Sequence, residues 1–486
     1  MDATDAGGGR GGRAPDASAE PEAFDVAVIG AGPAGTAAAL RAAELGASVV
    51  VLEAAHLGGT CVNSGCVPTR VLAKAARLVR DARTAGEHGV AVEGVAVDWP
   101  TVVERVHGRV DRVRAVKREA ERFAAAGVAL VEEGRARFED ARTLVLDSGR
   151  RIRAEAILVC VGGRARRLPV PGAELATMPD EVLHLPSLPA RAAIIGGGNT
   201  GAQLATVLDA FGSRVTLLDV APRILMPSDA AISEAVTAAF RDAGVTVRTG
   251  IAGVDRLERA GDGIELAWRD AGGAPVAERF DAVIMATGWP PDVVDLGLDR
   301  AGIALERSAI PVDGDLRSAV PHIYAVGDAN GRDMLVQAAQ SEGEAAAEHA
   351  VLGQARRTGH LLLPAGGFTD PDYAGVGLTE AEARERDPRC VVATVDYAQL
   401  DRAVIDDRAR GFLKLVVDGR RALVLGAHAV GENAIEVIQS VTTAMAAGID
   451  VATLARVRFA YPSYTAIVGL AARAALAERD EPAVLR

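Results

Sequence analysis

Two repeats of one sequence pattern predict an α/β protein with two Rossmann-like domains and a separate C-terminal α+β domain. The repeats begin near residues 24 and 192, and each runs from an apolar strand through a tight glycine turn into an alanine-rich helix. Over residues 361–486 the pattern changes to short strands that alternate with longer helices. A chain of 486 residues is too long for one hydrophobic core and suits about three domains of ~150 residues each.

The first repeat carries a G-x-G-x-x-G turn between a strand at 24–29 and a helix that ends near Leu45. The turn glycines are Gly30, Gly32 and Gly35. In such a turn the first glycine permits the sharp bend, the second lets backbone approach a pyrophosphate, and the third lets helix and strand pack closely. The N–H groups at the start of the helix then bind the anion. The next strand, at 48–52, ends at Glu53, an acid suited to a ribose hydroxyl.

The second repeat has the same order of elements, with a strand at 192–195, a helix that ends near Phe211 and a strand at 214–218. Its turn glycines and terminal acid are Gly196, Gly198, Gly201 and Asp219. A single G-x-G-x-x-G is weak evidence, but here each copy follows a strand, opens a helix and has an acid about twenty residues further on. Both repeats are therefore predicted to bind a dinucleotide.

Segments in which a strand runs into a glycine indicate where the chain passes between these domains. Two apolar runs end at Gly162 and Gly288, and a third run, at 323–326, is followed by Gly327 and Asp328. The predicted segments are a disordered leader at 1–22, the first nucleotide-binding domain at 23–165 and 290–360, the second at 166–289, and the C-terminal domain at 361–486.

Composition and charge exclude several classes of partner. The net charge is −12, and no dense run of Lys and Arg is interleaved with aromatic residues, so nucleic acid is not an expected partner. No stretch reaches the ~18 consecutive apolar residues of a membrane-spanning helix, so we expect no membrane association. The glycine- and alanine-rich leader has no apolar core of the kind that a secretory signal needs. We therefore expect a cytoplasmic location.

Four cysteines are too few for a disulfide-stabilised scaffold of this length. Cys160 and Cys390 lie in or next to apolar, strand-like runs, which predicts inert buried thiols. Cys61 and Cys66 form a C-x4-C segment directly after the first nucleotide-binding unit. The start of a helix there would favour a thiolate. A zinc site is the rival interpretation, but no second Cys or His cluster completes four ligands, so a redox-active pair is favoured and no metal site is predicted.

These motifs together resemble the pyridine nucleotide–disulfide oxidoreductases of the lipoamide dehydrogenase, glutathione reductase and mercuric reductase type. The resemblance extends from Phe24 to about Arg473. It rests on both glycine turns, the Cys61–Cys66 segment, Ala286-Thr-Gly288, Gly327-Asp328 and Phe368-Thr-Asp-Pro371.

The resemblance implies a flavoprotein that binds FAD and a nicotinamide dinucleotide in its two Rossmann-like domains. Residues implied to bind FAD are Gly30, Gly32, Gly35, Glu53, Gly59, Thr60, Gly327 and Asp328. Residues implied to bind the nicotinamide dinucleotide are Gly196, Gly198, Gly201, Asp219 and Gly288. The C-terminal domain would be a dimerisation domain, and each subunit of a homodimer would complete its partner's active site.

By the same resemblance, electrons pass from the nicotinamide to the flavin and then to the Cys61–Cys66 disulfide. Cys66 would be the thiol next to the flavin, and Cys61 the exchange thiol that meets a small-molecule acceptor. Asp219 favours NADH because an acid at that strand end repels a 2′-phosphate. Arg223, four residues further on, keeps NADPH open as a second cofactor.

The active-site residues depart from the family pattern at four positions. Disulfide-reducing members carry a His-Pro-Thr-x-x-Glu segment, in which the His acts as the acid–base and the Glu orients it. If Pro462 sets the register, Tyr461 replaces the His and Ala466 replaces the Glu. A phenol with a pKa of ~10 is a poor base at neutral pH, although it can donate a proton or bind an anion. Alternatively, Tyr461 and Tyr464 only pack at an interface.

The other two departures replace a Lys–Glu ion pair that relatives hold near the flavin. Arg70 and Gln203 occupy those positions. If Arg70 and Gln203 keep the cation without its carboxylate, the flavin potential would be raised. If they form a hydrogen bond equivalent to the ion pair, the flavin would be little affected. Both interpretations stay open at this point.

The sequence therefore predicts an enzyme that reduces a disulfide or a soft metal ion with electrons from NAD(P)H, without the usual His–Glu pair. Mercuric reductases also use tyrosines there, but they have a C-terminal cysteine pair that this sequence does not contain. One alternative is a flavin reductase of quinones or oxygen, or a redox carbon–sulfur lyase, on the same fold. Another is a non-catalytic flavoprotein subunit or redox sensor, which the retained cysteines and nucleotide motifs disfavour.

Overall fold

The computed structural model describes residues 20–354 and 362–480. Most of the predicted leader at 1–22 lies outside the described residues. The described residues fall into two compact units. Within the described residues, the first unit consists of 20–59, 117–163 and 291–354, and the second of 60–116, 164–290 and 362–480.

The strands and helices follow one another along most of the described chain. The strands are β1 (Glu22–Ile29), β2 (Val49–Leu52), β3 (Ala129–Val131), β4 (Ala136–Phe138), β5 (Thr143–Leu146), β6 (Arg151–Val159), β7 (Arg191–Ile195), β8 (Arg214–Asp219), β9 (Thr246–Thr249), β10 (Gly253–Ala260), β11 (Gly263–Arg269), β12 (Pro275–Phe280), β13 (Ala282–Met285), β14 (Ile323–Ala325), β15 (Ala365–Gly367), β16 (Tyr373–Gly377), β17 (Val391–Asp396), β18 (Phe412–Val417) and β19 (Val424–Val430). The helices are α1 (Pro33–Glu44), α2 (Gly59–Asn63), α3 (Cys66–Thr84), α4 (Trp99–Lys117), α5 (Glu119–Ala125), α6 (Asn199–Ala210), α7 (Ala230–Ala243), α8 (Val336–Leu352), α9 (Glu380–Arg386), α10 (Asp401–Ile405), α11 (Ala434–Ala446), α12 (Val451–Arg456) and α13 (Ala466–Asp480).

The first unit is built on a mixed sheet with the strand order β3-β2-β1-β6-β5-β4, and β14 also pairs with β6. Strands β3, β2, β1, β6 and β14 pair in parallel, whereas β5 and β4 form an antiparallel edge. The central strand β1 contains Val26–Ile29, which are almost completely buried. A strand buried on both faces is expected to read as a continuous apolar run, as this one does. The sheet places the end of β1 and the end of β14 at the carboxyl edge, where ligands of open α/β sheets bind.

Helices α1 and α8 pack together on one face of this sheet. Gly343 of α8 permits the close approach, because a Cβ atom there would collide with the carbonyl oxygen of Ala34. Arg41 of α1 donates to Glu348 of α8 at 2.8–3.0 Å, which adds an ion pair at the far end of the same contact. The middle of α8 is thereby held beside Ala34, which follows the first glycine turn.

The second unit contains a parallel sheet, β13-β7-β8-β9, and two antiparallel sheets, β10-β11-β12 and β15-β16-β19-β18-β17. The parallel sheet carries the second glycine turn. The five-stranded sheet packs against helices α11 and α13 in one buried apolar cluster. This confirms the predicted α/β class with two nucleotide-binding folds and a C-terminal α+β part.

Several elements differ from the sequence predictions or were not predicted. The helices α4 and α5 follow each other directly, and Arg118 between them adopts the left-handed conformation (φ 51°). Cys160 is buried as predicted, but it lies one residue beyond the end of β6. The three-stranded sheet β10-β11-β12 was not predicted, since its edge strands are only partly buried and have no continuous apolar run. The bounds of the five predicted segments stay predictions.

In the described part of the chain, no helix is long and apolar enough to cross a membrane.

Candidate active site

The first glycine turn joins β1 to α1 and has little room for side chains. Gly30 has φ +98°, and a Cβ atom there would lie 2.6 Å from the carbonyl oxygen of Cys160. A Cβ atom on Gly35 would overlap the carbonyl oxygen of Gly30. Gly32 precedes α1, and Pro33 occupies the first helical position, where its missing N–H costs nothing. Glycine is therefore required at 30 and 35 for packing, as predicted from the motif.

Glu53 directly follows β2 and forms hydrogen bonds that connect this turn to the end of that strand. Its carboxylate accepts a hydrogen bond from Ala31 N at 2.7 Å and another from Ala55 N at 2.7 Å. The side chain is buried. A carboxylate has about four acceptor positions, so two remain for the hydroxyls of a ribose.

Gly59, which begins α2, approaches the same turn. It has φ +58°, and a Cβ atom there would lie 2.8 Å from the Cα atom of Gly32. Gly58 N donates to Ala31 O at 2.9 Å and fixes this approach. The backbones of Gly32 and Gly59 are nearly in contact and carry no side chains there, which suits the close approach of a pyrophosphate.

Asp328 follows β14, at the carboxyl edge of the same sheet. Burial raises the pKa of its carboxyl, and no other side chain of the described residues is seen to donate to it. Next to it, Gly327 N and Asn330 Nδ2 both donate to Glu342 Oε2 at 2.8 Å. Glu342 is itself buried, and burial raises its pKa although these two donors oppose the shift. The hydrogen bonds to Glu342 hold the short turn that presents Asp328.

These features of the first unit fit the FAD that the family implies. The glycine turn would take the pyrophosphate, Glu53 the ribose of the adenosine, and the half-buried carboxyl of Asp328 a hydroxyl of the ribityl chain. A desolvated carboxyl whose donor is its own backbone N–H has acceptor positions left over, which a ligand hydroxyl can satisfy.

The second glycine turn, between β7 and α6, repeats the geometry of the first. Gly196 has φ +106°, and Cβ atoms on Gly196 and Gly201 would overlap backbone oxygens of Ala286 and Gly196, respectively. Gly198, in contrast, has ordinary extended backbone angles, and a Cβ atom there would meet no atom within 4 Å. Gly196 and Gly201 are required by the fold, whereas Gly198 leaves open space at the start of α6.

Asp219 ends β8 and occupies the place that Glu53 has in the first turn. Its carboxylate accepts from Gly197 N at 2.6 Å and from Ala221 N at 2.7 Å. The guanidinium of Arg223 points instead at backbone carbonyls, donating to Met226 O at 2.8 Å and to Ser228 O at 2.9 Å. Gly288, with φ +107°, follows β13 and accepts a hydrogen bond from the backbone of Arg166.

The cysteine segment forms two consecutive helices. Cys61 lies in the short helix α2 and is half-buried, and Cys66 is the first residue of the long helix α3 and is exposed. Thr60 O accepts from Gly65 N at 2.7 Å and from Ser64 N at 3.0 Å, which closes the loop between the two cysteines. Cys66 therefore lies at a helix N-terminus, where the helix dipole favours a thiolate.

Arg70 and Gln203 meet at one residue, Phe368. The Arg70 guanidinium stacks 4.2 Å from the centre of the Phe368 ring, and Gln203 Oε1 accepts from Phe368 N at 3.2 Å. Gln203 Nε2 donates to Asn199 O at 2.8 Å. Burial and the nearby charge of Arg77 lower the pKa of Arg70, and its buried Nη1 atom has no hydrogen-bond partner among the described residues. The cation is thus held by an aromatic ring instead of a carboxylate.

The two tyrosines of the C-terminal segment have different surroundings. Tyr461 is 78% exposed, and a hydrogen bond to Asp401 raises the pKa of its phenol. Tyr464 is buried, donates to Asp406 Oδ2 at 2.9 Å, and packs with its ring centre 5.9 Å from that of Tyr397. Tyr464 therefore packs within its own subunit, while Tyr461 presents a protonated phenol at the surface.

Among residues 20–354 and 362–480, no group of three or more His, Cys, Asp or Glu side chains is arranged to hold a metal ion.

The family model described as pyridine nucleotide-disulphide oxidoreductase matches residues 24–343, and the model of its dimerisation domain matches residues 363–472. The chain belongs to the pyridine nucleotide-disulphide oxidoreductase family. It is an FAD-dependent oxidoreductase that uses a pyridine nucleotide, which confirms the resemblance seen in the sequence.

Similar proteins include dihydrolipoyl dehydrogenases from several bacteria. That of Chlorobaculum tepidum is 32% identical over 460 residues, covering 93% of this chain and 97% of the relative. That of Mycobacterium tuberculosis is 32% identical over 455 residues, covering 90% and 95%. A solved structure of the HOCl-induced flavoprotein disulfide reductase RclA from Escherichia coli matches with a TM-score of 0.82 and 26% identity, covering 93% of this chain and 99% of RclA. The same protein, as a cysteine-to-serine mutant, has also been solved as a copper(II) complex.

Two residues of the site were not predicted from the sequence. Glu342 organises the turn at Gly327, and Arg114 of α4 donates to Asn63 beside Cys61. Neither lies in a recognisable motif: Glu342 is 15 residues from Gly327, and Arg114 is 51 residues from Asn63. The roles of the predicted site residues in binding and catalysis stay predictions.

Proposed function

We propose that this enzyme passes electrons from NADH through its flavin to the Cys61–Cys66 pair and on to a small disulfide or a thiophilic metal ion. The observation that carries the proposal is the cysteine segment itself. Cys66 begins α3, Cys61 lies one short loop before it, and the segment directly follows the β1–α1–β2 nucleotide-binding unit. Bound FAD would supply the hydride-accepting step between the nicotinamide and the cysteines.

The overall reaction with a disulfide is NADH + H⁺ + RSSR → NAD⁺ + 2 RSH. In this scheme the Cys61 thiolate attacks the acceptor disulfide, forming a mixed disulfide and releasing one thiol. The Cys66 thiolate then attacks Cys61 Sγ, which releases the second thiol and restores the Cys61–Cys66 disulfide. With copper(II), two ions would each accept one electron from the dithiol. The copper(II) complex of the related RclA supports testing this second acceptor class.

Proton delivery to the leaving thiol is the step in which this enzyme would differ from its His-containing relatives. A tyrosine phenol with its ordinary pKa of ~10 is protonated at neutral pH. The hydrogen bond from Tyr461 to Asp401 raises this pKa further. A protonated phenol can donate a hydrogen bond to a leaving thiolate, but it does not act as a base. Disulfides that leave as acidic thiols are therefore the better substrates. The family's dimerisation domain supports a homodimer in which exposed Tyr461 serves the partner's cysteines.

A panel of acceptors measured with wild type and Cys61→Ser tests this proposal. The panel contains lipoamide, glutathione disulfide, an aromatic disulfide, copper(II), mercuric ion and a quinone. We expect disulfide and metal reduction to vanish in Cys61→Ser while quinone reduction, which needs only the flavin, survives. If disulfide and metal reduction persist unchanged in that variant, the proposal is wrong, and a flavin reductase or a redox lyase on this fold becomes the better account.

We further propose that NADH is the preferred donor. Asp219 places a carboxylate where the ribose binds, and the carbonyl contacts of Arg223 hold its guanidinium on the 225–228 loop. A 2′-phosphate would meet a negative charge without a compensating cation.

The change Asp219→Asn tests the donor preference. Wild type should show a higher kcat/KM for NADH than for NADPH, and the variant should narrow that ratio by about tenfold or more, as expected when a charge repulsion of ~1.4 kcal/mol is removed. The matched variant Arg223→Gln should leave the ratio nearly unchanged. A larger effect from Arg223→Gln than from Asp219→Asn would contradict the assignment.

A further inference from the structure

Trp289 lies at the carboxyl edge of the parallel sheet that carries the second glycine turn. It directly follows Gly288, in the loop that leaves β13, and β13 pairs in parallel with β7 over Ala282–Met285. Strand β7 continues through the glycine turn and α6 to β8, which lies on its other side. Because the chain leaves β7 towards β8 while β13 lies opposite, the ends of β7 and β13 form the kind of crevice in which α/β sheets bind ligands.

This topology sets the direction in which a dinucleotide would lie. Asp219 at the end of β8 suits the ribose of the adenosine, and Gly198 at the start of α6 suits the pyrophosphate. The nicotinamide half would then extend past the end of β7 towards β13. Cβ atoms on Gly198 and Gly288 would meet no atom within 4 Å, so there is room for a ligand at both glycines.

The indole of Trp289 reaches the start of α6 from the β13 side. Its Nε1 donates to Thr200 Oγ1 at 3.3 Å, and Thr200 is the second residue of that helix. The Trp289 side chain is half-buried. The ring therefore connects the end of β13 with the first turn of α6, on the side of the crevice that the nicotinamide half would occupy.

The backbone that carries the indole is fixed, whereas the ring itself is held weakly. Arg166 N donates to Gly288 O at 3.0 Å, and Thr287 Oγ1 donates to Arg166 O at 2.7 Å, so the residues before Trp289 are anchored. The bond from the indole to Thr200 is longer than the usual ~2.9–3.0 Å of an N–H···O bond, so it is weak. The ring can therefore turn towards a ligand without movement of its loop.

We propose that Trp289 is a binding residue for the nicotinamide half of the electron donor, and that its indole packs against the nucleotide between the ends of β7 and β13. The inference rests on the proposed use of NADH at the second glycine turn. An indole offers a large apolar face to a planar ligand and attracts a cationic ring over that face. NAD⁺ is the suitable probe, because its nicotinamide ring is positively charged and cannot reduce the flavin.

Tryptophan fluorescence of the FAD-loaded enzyme reports on this contact. The other two tryptophans, Trp99 and Trp268, are 5% and 4% exposed and lie in apolar clusters of the core. NAD⁺ should change the emission of wild type and of the matched control Trp268→Phe, but not that of Trp289→Phe. AMP, which lacks the nicotinamide half, should compete with NAD⁺ and leave the emission unchanged. A response that persists in Trp289→Phe, or an equal response to AMP, would overturn the inference.

Calorimetric titration gives a second readout that does not depend on fluorescence. Trp289→Ala should raise the Kd of NAD⁺ about tenfold and leave that of AMP within about twofold, whereas Trp289→Phe, which keeps a ring, should raise the Kd of NAD⁺ by less than about threefold. Equal losses for NAD⁺ and AMP, or no loss for NAD⁺, would also overturn the inference. If no dinucleotide binds at this turn, Gly198→Ala would leave the Kd of NAD⁺ unchanged as well, which separates failure of the proposed donor site from failure of the Trp289 assignment.

Discussion

Gly198 precedes α6 with ordinary backbone angles and open space around its missing side chain. Gly201, one turn further on, lies against the carbonyl oxygen of Gly196, so any Cβ atom there would force α6 away from β7. The same motif thus contains one glycine that the fold requires and one that only a bound ligand would require. Substitution at these two positions separates folding from binding.

The change Gly198→Ala should leave the thermal midpoint within about 2 °C of wild type, because the added methyl group meets no neighbour. The same methyl group would stand where the pyrophosphate approaches the helix, so KM for NADH should rise at least about tenfold. Gly201→Ala is the contrasting variant and should lower the thermal midpoint as well. An unchanged KM for NADH in folded Gly198→Ala would show that no pyrophosphate binds at this turn.

At the residue scale, the sequence predicted those residues whose roles follow from local geometry. The glycines at 30, 35, 196 and 201 were predicted because a turn between a strand and a helix demands them, and the structure shows the collisions that larger residues would cause. Arg70 shows what the local sequence could not predict. Its replacement of a lysine was visible in the sequence, but its stacking on Phe368 depends on a residue about 300 positions away.

At the scale of elements, a buried charged cluster joins the nucleotide-binding sheet region to the C-terminal sheet within the second unit. Lys414 of β18 donates to Asp229, which caps α7, at 2.9 Å and to Glu380 of α9 at 2.8 Å. Burial opposes ionisation of Asp229, but hydrogen bonds from Lys414 and from Glu380 N outweigh it and lower the pKa of Asp229. The hydrogen bond from Lys414 likewise lowers the pKa of Glu380.

Removing the cation should destabilise the protein strongly and in a pH-dependent way. Lys414→Met leaves Asp229 buried without its counter-ion and should cost about 3–5 kcal/mol at pH 7. Folding lowers the pKa values of both carboxyls, Asp229 and Glu380. The stabilisation that Lys414 provides is therefore fully present above their ordinary pKa values near ~4. It is lost as the pH falls through the lower pKa values of the folded state. Urea unfolding of wild type and variant between pH 3 and 7 should therefore show a difference that shrinks below about pH 4.

The exposed pair formed by Arg410 and Asp242 provides the control for this prediction. Arg410→Gln should change the free energy of unfolding by less than about 1 kcal/mol. If both substitutions changed the free energy of unfolding equally, the buried Lys414 would contribute no more to stability than the exposed Arg410.

Elements with strong periodicity were predicted well, and those that depend on distant partners were not. The strands β1, β7 and β8 were evident as apolar runs next to glycine turns. The sheet β10-β11-β12 was missed because its edge strands alternate weakly and gain stability from pairing with one another. The break between α4 and α5 has no local sequence signal, because it depends on a positive φ at Arg118, which arginine rarely adopts.

At the scale of the whole molecule, we propose that electrons enter at the nicotinamide and leave through the two cysteines, Cys61 and Cys66. The family membership and the two nucleotide turns establish the start of that route. The proposed end of the route depends on Cys66 lying next to the flavin in the holoenzyme, with Cys61 facing the acceptor. Homodimer formation, proposed from the dimerisation domain, would add Tyr461 of one subunit to the cysteines of the other.

Anaerobic titration of the purified holoenzyme with NADH tests this route most directly. A thiolate beside an oxidised flavin produces a broad long-wavelength absorbance band. Wild type should develop the band on addition of one equivalent of NADH, Cys61→Ser should show it before any NADH is added, and Cys66→Ser should not show it at all. Absence of the band in wild type, or its persistence in Cys66→Ser, would contradict the placement of Cys66 at the flavin.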